Sequence, residues 1–173
     1  MNYSYFPKDE NIPESIKTVV NIFKNHEKEI DSSSNDSTNE KRLSSDEVLK
    51  ILEADFLKEG YLVEKSKAKN DKIRMHVDIG INDEASLFFE VDAWNEDEGI
   101  VIEVEAGRAL DNHQFLKDIF EAAMMKNVKY LIIAVRECYR GRNDYRKIND
   151  WLEPFYSTER VKLDLEGLLL IGY

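Results

Sequence analysis

The chain is poor in residues that would build a covalent or thiol-ligated framework. Cys138 is its one cysteine, which excludes a disulfide scaffold and a Cys-type zinc site. The three histidines, His26, His76 and His113, lie far apart and show no ligand spacing. Long apolar runs are missing too. The longest, Leu131 to Val135 and Leu168 to Ile171, are too short to span a bilayer, so no membrane partner is expected. The opening MNYSYFPKDE has no apolar core of the signal-peptide kind, and a reduced, cytoplasmic setting is the expectation. Positive charge is in deficit: 24 Lys and Arg stand against 35 Asp and Glu, for a net charge of −11. That argues against loose nucleic-acid binding by bulk electrostatics, while leaving room for a local basic groove.

What is present suffices for one hydrophobic core: 173 residues, 42% of them hydrophobic, with eight Tyr, eight Phe and two Trp. Pro13 to Ile30 reads as a helix, with Pro in the first turn and Ile16, Val19, Val20 and Phe23 at helical spacing. DSSSNDSTNEKR (Asp31 to Arg42) has no apolar residue and cannot bury enough surface to order itself. Residues 1–43 are therefore expected to be an appended helix plus a flexible linker, the helix being a candidate partner contact. Residues 44–173 form the main domain. Ser44 and Glu47 are spaced as a capping box for a helix carrying Val48, Leu49, Leu52 and Phe56. Strands follow at Tyr61 to Glu64 and Ile73 to Ile81. A hairpin joins Leu87–Trp94 to Gly99–Ala106. A helix over Asn112 to Asn127 follows, then the doubly covered strand Tyr130 to Val135, a helix near Asp144 to Trp151, and a strand within Val161 to Ile171.

The hairpin FFEVDAWNEDEGIVIEVEAGR (Phe88 to Arg108) is the most informative stretch. Residues two apart on a strand share a face, so Val101, Glu103 and Glu105 point one way and Ile100, Ile102 and Val104 the other. Asp92 is set opposite the Glu-x-Glu pair. Carboxylates this close raise each other's pKa, and a hard divalent cation is the usual remedy; a solvated acidic edge is the plainer alternative. Two local clusters recover positive charge. Lys65 to Arg74 holds five basic residues against one acid, and if extended it points Lys65, Lys67 and Lys69 to one side. Arg136 to Lys147 holds five against two, Arg140 and Arg142 among them, with Tyr139 and Tyr145 interleaved. Such spacing suits a phosphate backbone, although either cluster alone could serve only solubility.

An α-β-β-β-α-β order, with an Asp on one hairpin strand and an acid-x-residue pair on the next, resembles the PD-(D/E)XK nuclease superfamily. Many restriction enzymes, Holliday-junction resolvases and DNA-repair nucleases belong to it. The resemblance covers roughly residues 44–135. It implies a restriction-endonuclease-like α/β core, with a mixed central sheet flanked by helices. It also implies that Asp92 and Glu103 hold Mg²⁺, or Mn²⁺ in its place, for hydrolysis of DNA. Val91 stands where the motif has Pro, and Glu105 where it has Lys; some restriction enzymes of the superfamily carry Glu there. Glu105 then serves as a third metal-holding carboxylate, or a cation arrives from elsewhere, with Arg108 and Lys117 as candidates. The family often adds a Glu from its first helix, which points to Glu47 ahead of Glu53. Gln114 matches a position that some members keep near the scissile strand. The implied DNA contacts are Lys65, Lys67, Lys69, Arg108, Gln114, Arg140 and Arg142.

These residues suit phosphodiester hydrolysis, which needs a nucleophilic water and relief of phosphate charge. A Mg²⁺-dependent DNA endonuclease, of restriction type, is the leading expectation, and cutting both strands would take a homodimer. The alternative is a nuclease-fold protein that no longer cuts and acts as a DNA- or protein-binding module. A glycosidase is set aside because its two acids flank a sugar ring, whereas Glu103 and Glu105 are neighbours on one strand.

Overall fold

Alternation and apolar runs build a mixed sheet of six strands, and helices cover both of its faces. The computed structural model describes residues 1–32, 43–66, 68, 71–77, 87–158 and 160–173. The strands are β1 (Asn2–Phe6), β2 (Leu62–Val63), β3 (Ile73–His76), β4 (Phe88–Val91), β5 (Ala93–Asn95), β6 (Ile100–Glu105), β7 (Tyr130–Val135), β8 (Cys138–Tyr139), β9 (Arg142–Asn143) and β10 (Gly167–Gly172). The helices are α1 (Glu14–Asn25), α2 (Glu27–Ile30), α3 (Ser45–Lys58), α4 (Gln114–Met124) and α5 (Asp144–Ser157). The main sheet runs β1-β10-β7-β6-β5-β2. Strands β6, β7 and β10 are parallel, and β1, β5 and β2 pair antiparallel with their neighbours. Strands β3 and β4 form a separate ribbon, as do β8 and β9.

The parallel strands are linked by helices, as parallel pairing requires. Helix α4 joins β6 to β7, and α5 lies between β7 and β10. Both pack on one face, where Phe115, Ile119, Ile148 and Leu152 meet Val101, Leu131, Ile133 and Leu170. On the other face α1 and α3 bring Ile16, Val19, Phe23, Leu52 and Phe56 against Ile100, Ile102, Val104, Ile132 and Leu169. Ser44 and Glu47 close the expected capping box at the start of α3.

The first thirty residues are not an appendage. Strand β1 adds to the sheet edge against β10, from Asn2↔Gly172 to Phe6↔Leu168. Helix α1 buries Ile16, Val19, Val20, Ile22 and Phe23 in the core. An apolar stripe of this size is stable only when covered, and here the sheet covers it. Residues 33–42 of the expected linker lie outside the described residues. The expected strand from Leu87 to Trp94 is interrupted: β4 pairs with β3, β5 pairs with β6, and Asp92 sits at the bend between them. No helix among the described residues is long and apolar enough to cross a membrane.

Candidate active site

Strand β6 sets the chemistry because its alternation places charge on a core-facing side. Val101 packs into the α4/α5 layer, and Glu103 and Glu105 follow it on the same face. Val104, between them, is buried on the opposite face. Register then adds Asp92. Ala93 pairs with Ile102, so the next residue out stands opposite Glu103. At that point β4 has left to pair with β3, and the backbone N–H of Val104 has no strand partner. Asp92 supplies one: its Oδ2 accepts from Val104 N at 2.7 Å.

A fourth carboxylate comes from α4. Asp118 is 6% exposed and lies on the buried stripe with Phe115, Ile119 and Ala122. Gln114, one turn earlier, donates its Nε2 to Asp118 Oδ1 at 2.9 Å. Asp118 Oδ2 is buried without a hydrogen-bond partner among the described residues. An uncompensated buried carboxylate oxygen is costly, and this one stands among like charges.

Electrostatics show that these acids feel one another. Burial raises the Asp92 pKa to about 7, against the lowering effect of the Val104 N–H. Burial, then the charges of Asp92, Asp118 and Glu105, push Glu103 well above the carboxylate range. Glu105 rises to about 7 through burial and the charges of Asp118 and Asp92. Asp118 rises to about 6 through burial, although the Gln114 bond opposes it. Each shift states that the ionised form lacks compensation. Among the described residues, no Lys or Arg forms an ion pair with any of the four.

Two lysines act from one step away. Lys117 pairs with Glu121 at 2.9 Å, and its charge still lowers the pKa of Glu103, Glu105 and Asp118. Lys72, just before β3, bonds Glu64 at 2.7 Å and stands 3.9 Å from Glu90. Burial disfavours its ammonium, but Glu64 outweighs that and raises its pKa. Lys72 and Glu64 both act on Asp92, with opposite signs.

No family model, curated protein or solved structure matches the chain. The site is therefore argued from its own residues. The donor set is hard oxygen, suited to Mg²⁺, and the unpartnered Asp118 Oδ2 fits an added cation. Among the described residues, no three His, Cys, Asp or Glu side chains are already gathered around one point. Sharing one ion would require the carboxylates to rotate toward one another.

The remaining candidates divide. Glu47 spends its carboxylate on the capping box, accepting from Ser44 N at 2.8 Å. It lines, with Glu53 and Glu64, a pocket of about 400 Å³ between α3 and β2. Lys65, on the same pocket, is exposed, as are Arg108 and Arg140. Lys67 and Lys69 lie outside the described residues. Arg142 is committed to Asp144 at 2.5 Å and Asp111 at 3.2 Å, so it ties its loop to the segment that leads into α4. That loop flanks the acidic strand end, because the Tyr139 ring packs directly on Gly107. Arg136, Arg140 and Arg142 lie 5.2–5.8 Å from the centre of the same ring. Gln114 donates to Asp118, which places it beside the carboxylate group.

Sequence reasoning missed Asp118, Lys72 and Glu64. The spacing of Phe115, Asp118, Ile119 and Ala122 was the available signal for Asp118. Phe120 offers a competing apolar position that would turn the helix the other way, but Phe120 is 50% exposed. Nothing local marks Lys72, whose role depends on the β3–β4 ribbon lying beside Asp92.

Proposed function

We propose that the chain is a Mg²⁺-dependent endonuclease that hydrolyses DNA phosphodiester bonds, with Mn²⁺ able to substitute. One observation carries this reading. Asp92, Glu103, Glu105 and Asp118 lie near enough that their charges raise the pKa of Glu103 and Glu105, and the neighbouring Lys72 and Lys117 are paired with other acids. The order of α3, β2, β5, β6, α4 and β7, with the β3–β4 ribbon between β2 and β5, supports it by its likeness to a restriction-endonuclease-like core. Asp92, Glu103 and Glu105 would hold the ion, and Asp118 Oδ2 would be a further oxygen for it. A bound Mg²⁺ would supply a nucleophilic water at neutral pH and relieve charge on the phosphate.

The chain's own groups do the rest. Gln114 keeps Asp118 oriented through Oδ1, which leaves Oδ2 for the site. Asp92 is held in place by the Val104 N–H. Lys72, bonded to Glu64 just before the neighbouring ribbon, would offer the cation that Glu105 displaces from the motif position, since its charge acts on Asp92. Exposed Lys65, Arg108 and Arg140 would take backbone phosphates, which position a duplex without reading its sequence. Cutting both strands would engage two copies of the chain.

The test is cleavage of plasmid DNA by the full chain in Mg²⁺ or Mn²⁺. Glu103→Gln should fold and cut nothing. Lys72→Met should fold and cut about 10²–10³-fold more slowly, the scale of one lost electrostatic stabiliser. Undiminished cleavage by Glu103→Gln would overturn the assignment. A second reading, a nuclease-fold module that binds without cutting, is favoured by the Asp92–Val104 bond. That bond gives the motif aspartate a structural role with no ion involved. Duplex binding without ion affinity or cleavage would select it.

A further inference from the structure

The parallel strands have a second end, far from the carboxylates. Glu105 closes β6 at one end of the sheet. Tyr130 and Gly167 open β7 and β10 at the other. A pocket of about 640 Å³ lies there, with Tyr5, Tyr130, Phe155 and Tyr156 among its walls. Its charged rim is acidic on balance, with Asp9, Glu10 and Glu166 against Lys162. Four aromatic residues from β1, β7 and α5 thus share a pocket with carboxylates.

Several contacts show the arrangement to be built. Tyr130 Oη donates to a Glu166 carboxylate oxygen at 2.6 Å, which fixes that acid at the mouth. Phe155 and Tyr156 meet edge to face, with centroids 5.3 Å apart and planes at 76°. Tyr156 is backed by Phe6, stacked at 5.3 Å and 21°. Gly167 makes room for Tyr5, since a Cβ there would stand 2.2 Å from its hydroxyl oxygen. The Tyr156 hydroxyl is buried with no hydrogen-bond partner among the described residues. The protein uses the same chemistry next door: Lys8 Nζ sits 4.6 Å from the centre of the Phe6 ring.

We propose that this pocket binds an alkylated ammonium head group. Aromatic faces attract a weakly hydrated cation through their quadrupoles, and carboxylates at the rim add charge complementarity. The pocket is larger than one such head group, so the ligand carries a chain or backbone beyond it. A free small molecule and a methylated lysine side chain share this chemistry. The site stands apart from the carboxylate centre and does not rest on the nuclease reading.

The experiment titrates the full chain with choline and with 3,3-dimethyl-1-butanol, its neutral isostere, by calorimetry. Trp151 fluorescence gives a second readout, because Trp151 stacks on Phe155 at 5.1 Å. Choline should saturate and bind at least about tenfold more tightly than the alcohol. The surface variant Glu10→Gln/Glu166→Gln should weaken choline and leave the alcohol unchanged, and Tyr156→Leu should weaken choline as well. Equal binding of choline and the alcohol would overturn the proposal, and so would failure of choline to saturate. A peptide carrying trimethyllysine separates the two sources. Tighter binding of the peptide assigns the site to a modified protein, and tighter binding of choline to a small molecule.

Discussion

Asp92 has two separable jobs, and two substitutions pull them apart. Its Oδ2 accepts the Val104 N–H at 2.7 Å, and Val104 is 3% exposed. Asp92→Ala removes that acceptor and leaves a buried donor unpaired, a loss of about 1–3 kcal/mol. Asp92→Asn keeps an amide oxygen for the bond and removes the charge. The charge is itself costly, because burial lifts the pKa from 3.8 to about 7. A rise of roughly three, at about 1.4 kcal/mol per pH unit, bounds the penalty near 4 kcal/mol. The folded value lies above the unfolded one, so the folded chain keeps a proton that the unfolded chain has lost. The penalty is therefore absent below about pH 4, grows between about 4 and 7, and levels off above. In urea denaturation with EDTA, the Asn variant should exceed the wild type in stability at pH 8. That advantage should shrink toward pH 4. The Ala variant should lie about 1–3 kcal/mol below the Asn variant at every pH. Added Mg²⁺ should stabilise the wild type and not the Asn variant. Equal stability of the Ala and Asn variants would refute the role given to the Val104 bond. Parallel pH curves for the wild type and the Asn variant would refute the buried charge.

Asp118→Asn keeps an oxygen for Gln114 and should lower Mg²⁺ affinity about 10–100-fold in calorimetry; unchanged affinity would remove Asp118 from the site. His26 bridges Asp55 at 2.9 Å and Glu29 at 2.8 Å, and those bonds raise its pKa above 6.5. Their stabilisation is complete below about pH 6.5 and fades as pH rises through the higher folded value. His26→Gln should flatten that limb of the stability–pH curve, and a limb that persists in the variant would assign it to another group. Gly107→Ala, at φ +113° with its Cβ 2.3 Å from the Tyr139 ring, should cost about 1–3 kcal/mol in the same assay. A neutral result would mean that the Tyr139 loop is free to move aside.

Local pattern carried the parallel strands and helices furthest. Tyr130 to Val135 is a continuous apolar run, and the strand has those bounds. The Ser44–Glu47 spacing closes as a capping box. Two features escaped because their causes are non-local. Asn2 to Phe6 becomes a strand by pairing with β10, more than 160 residues later. The break at Asp92 arises because β3 captures β4, which no pattern within Leu87 to Trp94 announces. The carboxylates of β6 were legible from alternation alone. Their fourth member was not, because its helix carries apolar residues on more than one side. Leu116, Phe120 and Met124 compete with Phe115, Ile119 and Ala122 for the reading of α4.

Strand β10 lies between β7 and β1 in the sheet, yet it leaves the ribosome after the other described strands. Until residues 167–172 emerge, β1 has no edge to join, and the apolar stripe of α1 waits with only part of its cover. Assembly is thus ordered backwards from synthesis at this edge: β1 is made before β10 and docks only after it. A nascent chain stalled before Gly167 should expose Tyr5, Phe6 and the flank of β7 to proteases and chaperones, and emergence of residues 167–172 should close all three at once.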